Sequence, residues 1–179
     1  MNRKTNSSEK LYYIICETCA GWVGAVSSDK GCLLTTFPQS TEELAKLALG
    51  DSISQASYAP KHFKVLMEEL QAYYRGENPI FSAALDLSQA TTFEKTVWRA
   101  TKSIPHGQTR SYSWVANQIG KPQAARAVGQ ALGRNPFPIL IPCHRVLAKN
   151  GGLGGFGGGL KMKKYLLKLE AKSQNFISF

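Results

Sequence analysis

The residues with the most obvious chemistry lie in one run, Ile141-Pro-Cys-His-Arg-Val-Leu147, where a thiol stands between a proline and a histidine with an arginine following. Pro142 fixes its own φ and removes a backbone donor, so this stretch is not a regular helix interior. His144 and Arg145 are placed to lower the thiol pKa, and the thiolate is the nucleophilic form of cysteine. The alternative for Cys143 is a small buried residue in an apolar core strand. Glu170 is the last acid of the chain. It falls near the end of an amphipathic helix expected over residues 160–171, where the helix dipole disfavours a carboxylate. A lone acid in that position points to a specific partner, and His144 is the obvious one.

The other three cysteines, Cys16, Cys19 and Cys32, lie far from Cys143 in sequence, and the four do not form a disulfide framework. A reducing, cytoplasmic setting is expected. The Cys-Glu-Thr-Cys spacing, with Cys32 and His62, is open to a zinc reading, but no second matching pair exists. Strand and turn cysteines are the reading adopted, and no metal is expected. From Asn150 to Gly159 seven positions are glycine. Neither phosphate-loop spacing fits them, so no nucleotide cofactor is expected; nothing else in the chain resembles a cofactor site, and no cofactor is expected. Glycine lets a backbone lie against a flat ligand with bare N–H groups, which makes Phe156 a candidate wall of a pocket.

The elements that must position these groups fall into two halves. Residues 11–16, 22–27 and 32–37 are β-rich runs separated by turn residues and read as an antiparallel meander. A short helix is expected over 41–49. Pro60 opens a longer one, with Phe63, Leu66, Met67, Leu70 and Tyr74 as an apolar core stripe that Gly76 ends. Residues 83–87 are a further strand candidate, and 87–90 the domain joint. Phe93, Val97 and Ala100 share one face of a helix that stops before Pro105. Ser111 or Ser113 caps the next, which carries Trp114, Val115, Gln118 and Ile119 and ends at Gly120. Pro122 starts a third helix through Leu132, whose Ala-Ala-Arg-Ala-Val-Gly start leaves Arg126 projecting from a short-chained surface. Two short helices joined this closely outline a helix-turn-helix. In the final helix Tyr165, Leu166 and Leu169 are expected inward and the four lysines mostly outward.

Charge divides along the same line. Residues 1–90 hold 8 Lys/Arg against 10 Asp/Glu, and residues 91–179 hold 14 against 2, within a net charge of +10. A half with Glu94 and Glu170 as its only acids attracts a polyanion, and nucleic acid is the expected one. No apolar run is long enough to span a bilayer, and the polar residues 1–10 carry no secretory h-region.

The run Asn135-Pro-Phe-Pro-Ile-Leu-Ile-Pro-Cys-His-Arg-Val146, preceded by Ala-Ala-Arg-Ala-Val-Gly at 124–129, closely resembles the methylated-DNA–protein-cysteine methyltransferases, suicide proteins that repair O6-alkylguanine. The likeness continues through Phe93-Glu-Lys-Thr-Val-Trp98, Ile104-Pro-His-Gly-Gln-Thr-Arg-Ser-Tyr112 and Lys164-Tyr-Leu-Leu-Lys-Leu-Glu170. It is strong over 92–171 and only an outline before that.

The resemblance implies an α/β (α+β) fold: a small N-terminal antiparallel β-sheet domain with helices over 1–90. A mainly helical domain over 91–179 would carry the helix-turn-helix, winged-helix-like, and the active-site cysteine. It implies Cys143 as alkyl acceptor, His144 as base through a water, Glu170 as its orienting acid, and Asn135 as the brace of the turn. Tyr112 would crowd the 3′ phosphate, help rotate the nucleotide and serve the purine ring nitrogen. Arg126 would replace the extruded base, with Ala125, Gly129 and Arg145 among the DNA-contacting positions. The backbone of Val146 and of 156–157 would read the guanine edge, with Trp98 beside the pocket. The implied partner is double-stranded DNA containing O6-alkylguanine, with O4-alkylthymine as a second substrate. A monomer is expected, with no membrane and no obligatory protein partner. Phe156 stands where family members usually carry tyrosine, and Gly157 where a side chain is common, which suggests a roomier pocket. Two alternatives remain: a lesion sensor that binds without transfer, although such proteins replace the acceptor cysteine, and a thiol hydrolase, which leaves the charge division unexplained.

Overall fold

A computed structural model of the chain describes residues 10–149 and 151–174; residues 1–9, Asn150, which opens the glycine run, and 175–179 lie outside the described residues. The chain divides into two compact units, Met1–Gln89 and Ala90–Phe179.

In the first unit the expected meander is present as β1 (Leu11–Thr18), β2 (Gly21–Ser28) and β3 (Gly31–Thr35). β1 and β2 pair antiparallel from Leu11↔Ser28 to Thr18↔Gly21, and β2 and β3 pair antiparallel with a register shift between Val26 and Ser27. Gly21 is required where the hairpin returns. Its φ is +121°, and a Cβ there would stand 2.5 Å from the Gln39 carbonyl oxygen. The sheet order is β3-β2-β1-β4, with β4 (Ala56–Tyr58) running parallel to β1. This strand was not foreseen, because three residues are too few to show alternation. Residues 83–87 reach the sheet edge only by a single bridge, Leu85 to Cys32.

Helix α1 (Glu42–Ala48) is capped by Thr41, whose hydroxyl accepts from the Leu44 N–H at 3.2 Å. Pro60 opens a 3₁₀ turn, Pro60–Phe63, before α2 (Lys64–Tyr74) begins. Phe63, Leu66, Met67, Leu70 and Tyr74 are all buried, as the stripe predicts. Each such side chain stabilises the unit by roughly 1.5–3 kcal/mol.

The second unit is mainly helical. Helix α3 (Thr92–Lys102) starts with a capping box in which Thr91 and Glu94 satisfy each other's backbone donors. Its buried face is Glu94, Val97, Trp98 and Thr101, turned from the expected Phe93–Val97–Ala100 face. The polar members of that face are all satisfied. The Trp98 indole donates to the Ala131 carbonyl at 3.0 Å and the Thr101 hydroxyl to the Val97 carbonyl at 2.8 Å. Glu94 accepts from Arg134 at 2.6 Å.

Ser111 caps α4 (Tyr112–Gln118), accepting from the Trp114 N–H at 3.0 Å. Pro122 does not start a helix. It lies in a turn closed by Ala124 N–H to the Lys121 carbonyl, and α5 (Ala125–Gly133) follows. A short parallel pair, β5 (Arg110–Ser111) with β6 (Val146–Leu147), fastens the segment after Cys143 to the start of α4. α6 (Gly159–Gln174) runs past the expected end at 171, so Glu170 is interior to it. Leu166 is buried, Leu169 half-buried and Tyr165 exposed, the last contrary to expectation. No helix among the described residues is long and apolar enough to cross a membrane.

Candidate active site

The chain after α5 turns sharply and doubles back. Asn135 holds this turn: its amide N–H₂ donates to the Ile141 carbonyl at 2.9 Å, and its oxygen accepts from the Phe137 N–H at 2.9 Å. Inside it Ile139 adopts φ +74°, a left-handed conformation costing an L-residue about 1–2 kcal/mol. The clamp and the burial of Phe137, Ile139, Leu140 and Ile141 hold it there. The Asn135 amide also reaches the Cys143 sulfur at 3.4 Å. Cys143–Arg145 then form one 3₁₀ turn.

Cys143 is 9% exposed. Burial pushes its thiol pKa up, opposed by the Asn135 bond and the charge of Lys163. It borders a cavity of about 520 Å³ with Tyr112 at its side and Ala125, Arg126, Gly129 and Gln130 of α5 at its mouth. Gly155, Phe156 and Gly157 also line it. The Tyr112 hydroxyl donates to the Gly155 carbonyl at 3.3 Å. Burial and the Cys143 charge raise its phenol pKa. Gly154 has φ +66°, and a Cβ there would lie 2.9 Å from the Tyr112 ring, so this glycine permits the contact.

Behind the thiol, His144 and Glu170 are both fully buried, with His144 Nε2 2.6 Å from Glu170 Oε1. Burial disfavours the imidazolium, and despite the Glu170 carboxylate the histidine pKa is lowered. Burial would raise the Glu170 pKa, but the bonds from His144 and Arg145 hold it well below the usual carboxylate range. The consistent assignment is an ionised Glu170, balanced by Arg145, accepting from a neutral His144. That places the ring proton on Nε2 and leaves Nδ1 as the acceptor.

A wider groove of about 740 Å³ crosses the first unit beside Cys16, Trp22, Lys64 and Met67. Burial raises the Cys16 thiol pKa, and its sulfur faces the Gln71 amide at 3.2 Å. Cys19 donates to the Tyr74 carbonyl at 3.0 Å, and His62 stacks on Tyr12 at 4.6 Å. Among the described residues no three His, Cys, Asp or Glu converge as metal ligands.

Residues 92–172 match the family model for the 6-O-methylguanine DNA methyltransferase, DNA binding domain. A methylated-DNA–protein-cysteine methyltransferase of Methanosarcina acetivorans is 39% identical over 160 residues, which cover 89% of this chain and 98% of the relative. The chain belongs to the methylated-DNA–protein-cysteine methyltransferases. One from Mycolicibacterium paratuberculosis is 50% identical over 113 residues, covering 63% of this chain and 68% of the relative. The crystal structure of Mycobacterium tuberculosis OGT in complex with DNA superposes with TM-score 0.78 at 36% identity, covering 90% of this chain and 94% of that one. The α/β fold expected from the sequence is the fold of these methyltransferases.

Within this methyltransferase the geometry corrects three expectations. Arg145 is not on a DNA-facing surface. It is 9% exposed, its Nε lies 2.9 Å from Glu170 Oε2, and its Nη1 donates to the Ile104 carbonyl at 2.7 Å. A buried carboxylate demands a buried cation, and Arg145 fills that role. Trp98 does not line the cavity; it is core, edge-on to Phe137 with ring centroids 6.0 Å apart. The cation acting on the thiol is Lys163, one of the four lysines of the final helix that were expected mostly outward. Lys163 is fully buried, donates to the carbonyls of Leu153 and, at 2.6 Å, Val146, and lies 5.6 Å above the Phe156 ring. Burial pulls its pKa down to about 8, against the upward pull of Cys143. Its signal was available, since residues 163, 166 and 170 form one helical stripe with buried Leu166 and Glu170. Val146 is buried, and its carbonyl already accepts from Lys163.

Proposed function

We propose that the protein reverses O6-alkylguanine damage in double-stranded DNA by moving the alkyl group to Cys143, once per molecule. The observation that carries this reading is the placing of one thiol at a cavity of about 520 Å³, roomy enough to admit a base, with Arg126 of α5 on its lining and a buried His144–Glu170 pair behind it. The damaged atom lies inside a duplex, so the nucleotide must be rotated out, at a cost of a few kcal/mol. Phosphate contacts of the basic second half offset that cost. Arg126, the exposed cation of α5 at the cavity, fills the vacated stack. Tyr112, at the start of α4, assists the rotation.

The thiol proton passes to His144 Nδ1 through a water, and Glu170 holds the ring in the tautomer that receives it. The thiolate attacks the alkyl carbon in line; the S–C bond forms as the C–O6 bond breaks, and the electron pair stays with guanine. A proton delivered to the purine ring, with Tyr112 as the nearby hydroxyl, lets guanine leave neutral. The thioether product is no leaving group at neutral pH, so the acceptor is consumed. A Cβ at Gly157 would meet nothing within 4 Å, which supports a pocket open to alkyl groups larger than methyl.

The test is incubation with a duplex containing O6-methylguanine, followed by mass mapping of the Cys143 peptide. One methyl per protein on Cys143 is expected. Tight binding without modification would indicate a lesion sensor, and continuous turnover would refute the suicide reaction. Comparable rates on methyl and benzyl adducts are expected, and refusal of benzyl would remove the roomy-pocket reading.

A further inference from the structure

The mouth of the cavity holds a second polar side chain besides Arg126. Of the α5 residues there, Ala125, Gly129 and Gly133 carry no side-chain hydrogen-bonding atom. Gln130 does, and it is exposed one helical turn beyond Arg126. Within the described residues no hydrogen bond occupies its amide. Val128 and Ala131, on another face of the helix, are packed into the core, which holds α5 against rotation and keeps Gln130 exposed at the cavity.

We propose that Gln130 reads a base pair beside the lesion, so that the rate of repair depends on flanking sequence. This rests on the transfer reading above. With the alkylated guanine in the cavity, the vacated position in the duplex lies against the outer face of α5. Four residues of helix span about 6 Å, whereas one base step rises about 3.4 Å. With Arg126 in the gap, Gln130 therefore falls one to two base pairs away. The glycine and alanine surface lets the helix backbone lie close to the floor of a narrow groove. In the minor groove, A·T presents only acceptors, while G·C adds the 2-amino donor of guanine. A glutamine amide both donates and accepts, and an amide pressed against the wrong edge is left unsatisfied.

The experiment measures single-turnover transfer from duplexes in which each pair one or two steps from O6-methylguanine is A·T, G·C or inosine·C. Inosine lacks the 2-amino group but keeps the rest of the pair. Within the wild type, G·C and inosine·C at one position should differ about three- to tenfold, the worth of one net hydrogen bond, with inosine·C matching A·T. In Gln130→Ala that ratio should fall below twofold. Because each ratio is taken within one protein, a general loss of rate in the variant divides out. A wild type indifferent to the flanking pair overturns the proposal, and so does a preference that survives in Gln130→Ala, which would belong to duplex stability. A wild type that leaves Cys143 unmodified on every duplex sinks the transfer reading as well, so the two failures are distinguishable.

Discussion

Replacing Glu170 by glutamine removes the one negative charge that, among the described residues, pairs with Arg145. The carboxylate accepts from His144 Nε2 at 2.6 Å, from Arg145 Nε at 2.9 Å and Nη2 at 3.0 Å, and from the Gly107 N–H at 2.9 Å. Glutamine keeps one oxygen for these donors and adds an N–H₂ that meets donors instead of acceptors. Breaking a buried pair in this way costs about 3–5 kcal/mol. At the lower end, and at about 2–4 °C per kcal/mol for a chain of this length, Tm should fall by roughly 6–12 °C. The pH dependence carries a sign. Glu170 has a folded pKa held below its unfolded value of about 4.3, so its stabilisation is complete above that pH and is lost as pH falls toward the folded pKa. Urea titrations at pH 7, 4 and 3 should show the wild type losing up to about 1.4 kcal/mol per pH unit more than Glu170→Gln in the acid range. At neutral pH the variant should also transfer roughly 10²-fold more slowly, because His144 is no longer held in one tautomer. A variant that melts within 2 °C of wild type and keeps its acid slope would refute the buried-charge account. Adding Arg145→Met should recover part of the loss, since no uncompensated cation is then left buried beside the glutamine amide.

Lys163→Met removes the cation that opposes the burial penalty on Cys143, so the thiol pKa should rise further and the rate–pH profile for free O6-benzylguanine should move to higher pH; an unmoved profile would count against the role. Wild-type Lys163, with its pKa lowered to about 8, makes stability rise as pH climbs from about 8 toward 10.4, and Lys163→Met should lack that rise in urea titrations. Arg126→Ala should slow duplex repair at least tenfold while changing the free-base reaction far less; equal losses would remove Arg126 from the stack. Gly154→Ala adds a left-handed alanine and a contact at 2.9 Å to the Tyr112 ring, so duplex repair should fall as the phenol is displaced, and a variant with wild-type repair would refute the contact.

What was legible in the sequence was whatever scarcity or spacing made conspicuous. Glu170 stood out because the second half has one other acid, and Glu94 is fully engaged with Thr91 and Arg134. Cys143 stood out through the proline before it and the histidine after it, the α2 stripe through its period, and Asn135 only through the family resemblance. Two of the misreadings share one physical source. Arg145 was placed among the DNA-contacting positions and Lys163 among lysines expected mostly outward, but the prior that charged side chains are seldom fully buried fails where a buried carboxylate and a buried thiol each need a cation. No local pattern could reveal which arginine faces inward, because the partner of Arg145 lies 25 residues away. Lys163 differs, since the stripe it shares with Leu166 and Glu170 could have been counted. The parallel pairing of β5 with β6 was invisible for the opposite reason: two residues on each side carry no periodicity. Yet that pairing, with the Asn135 clamp, fixes the Cys143 turn against the start of α4. The chemistry of this site was therefore written in residue types, whereas its precision comes from contacts too short or too distant for a linear pattern to encode.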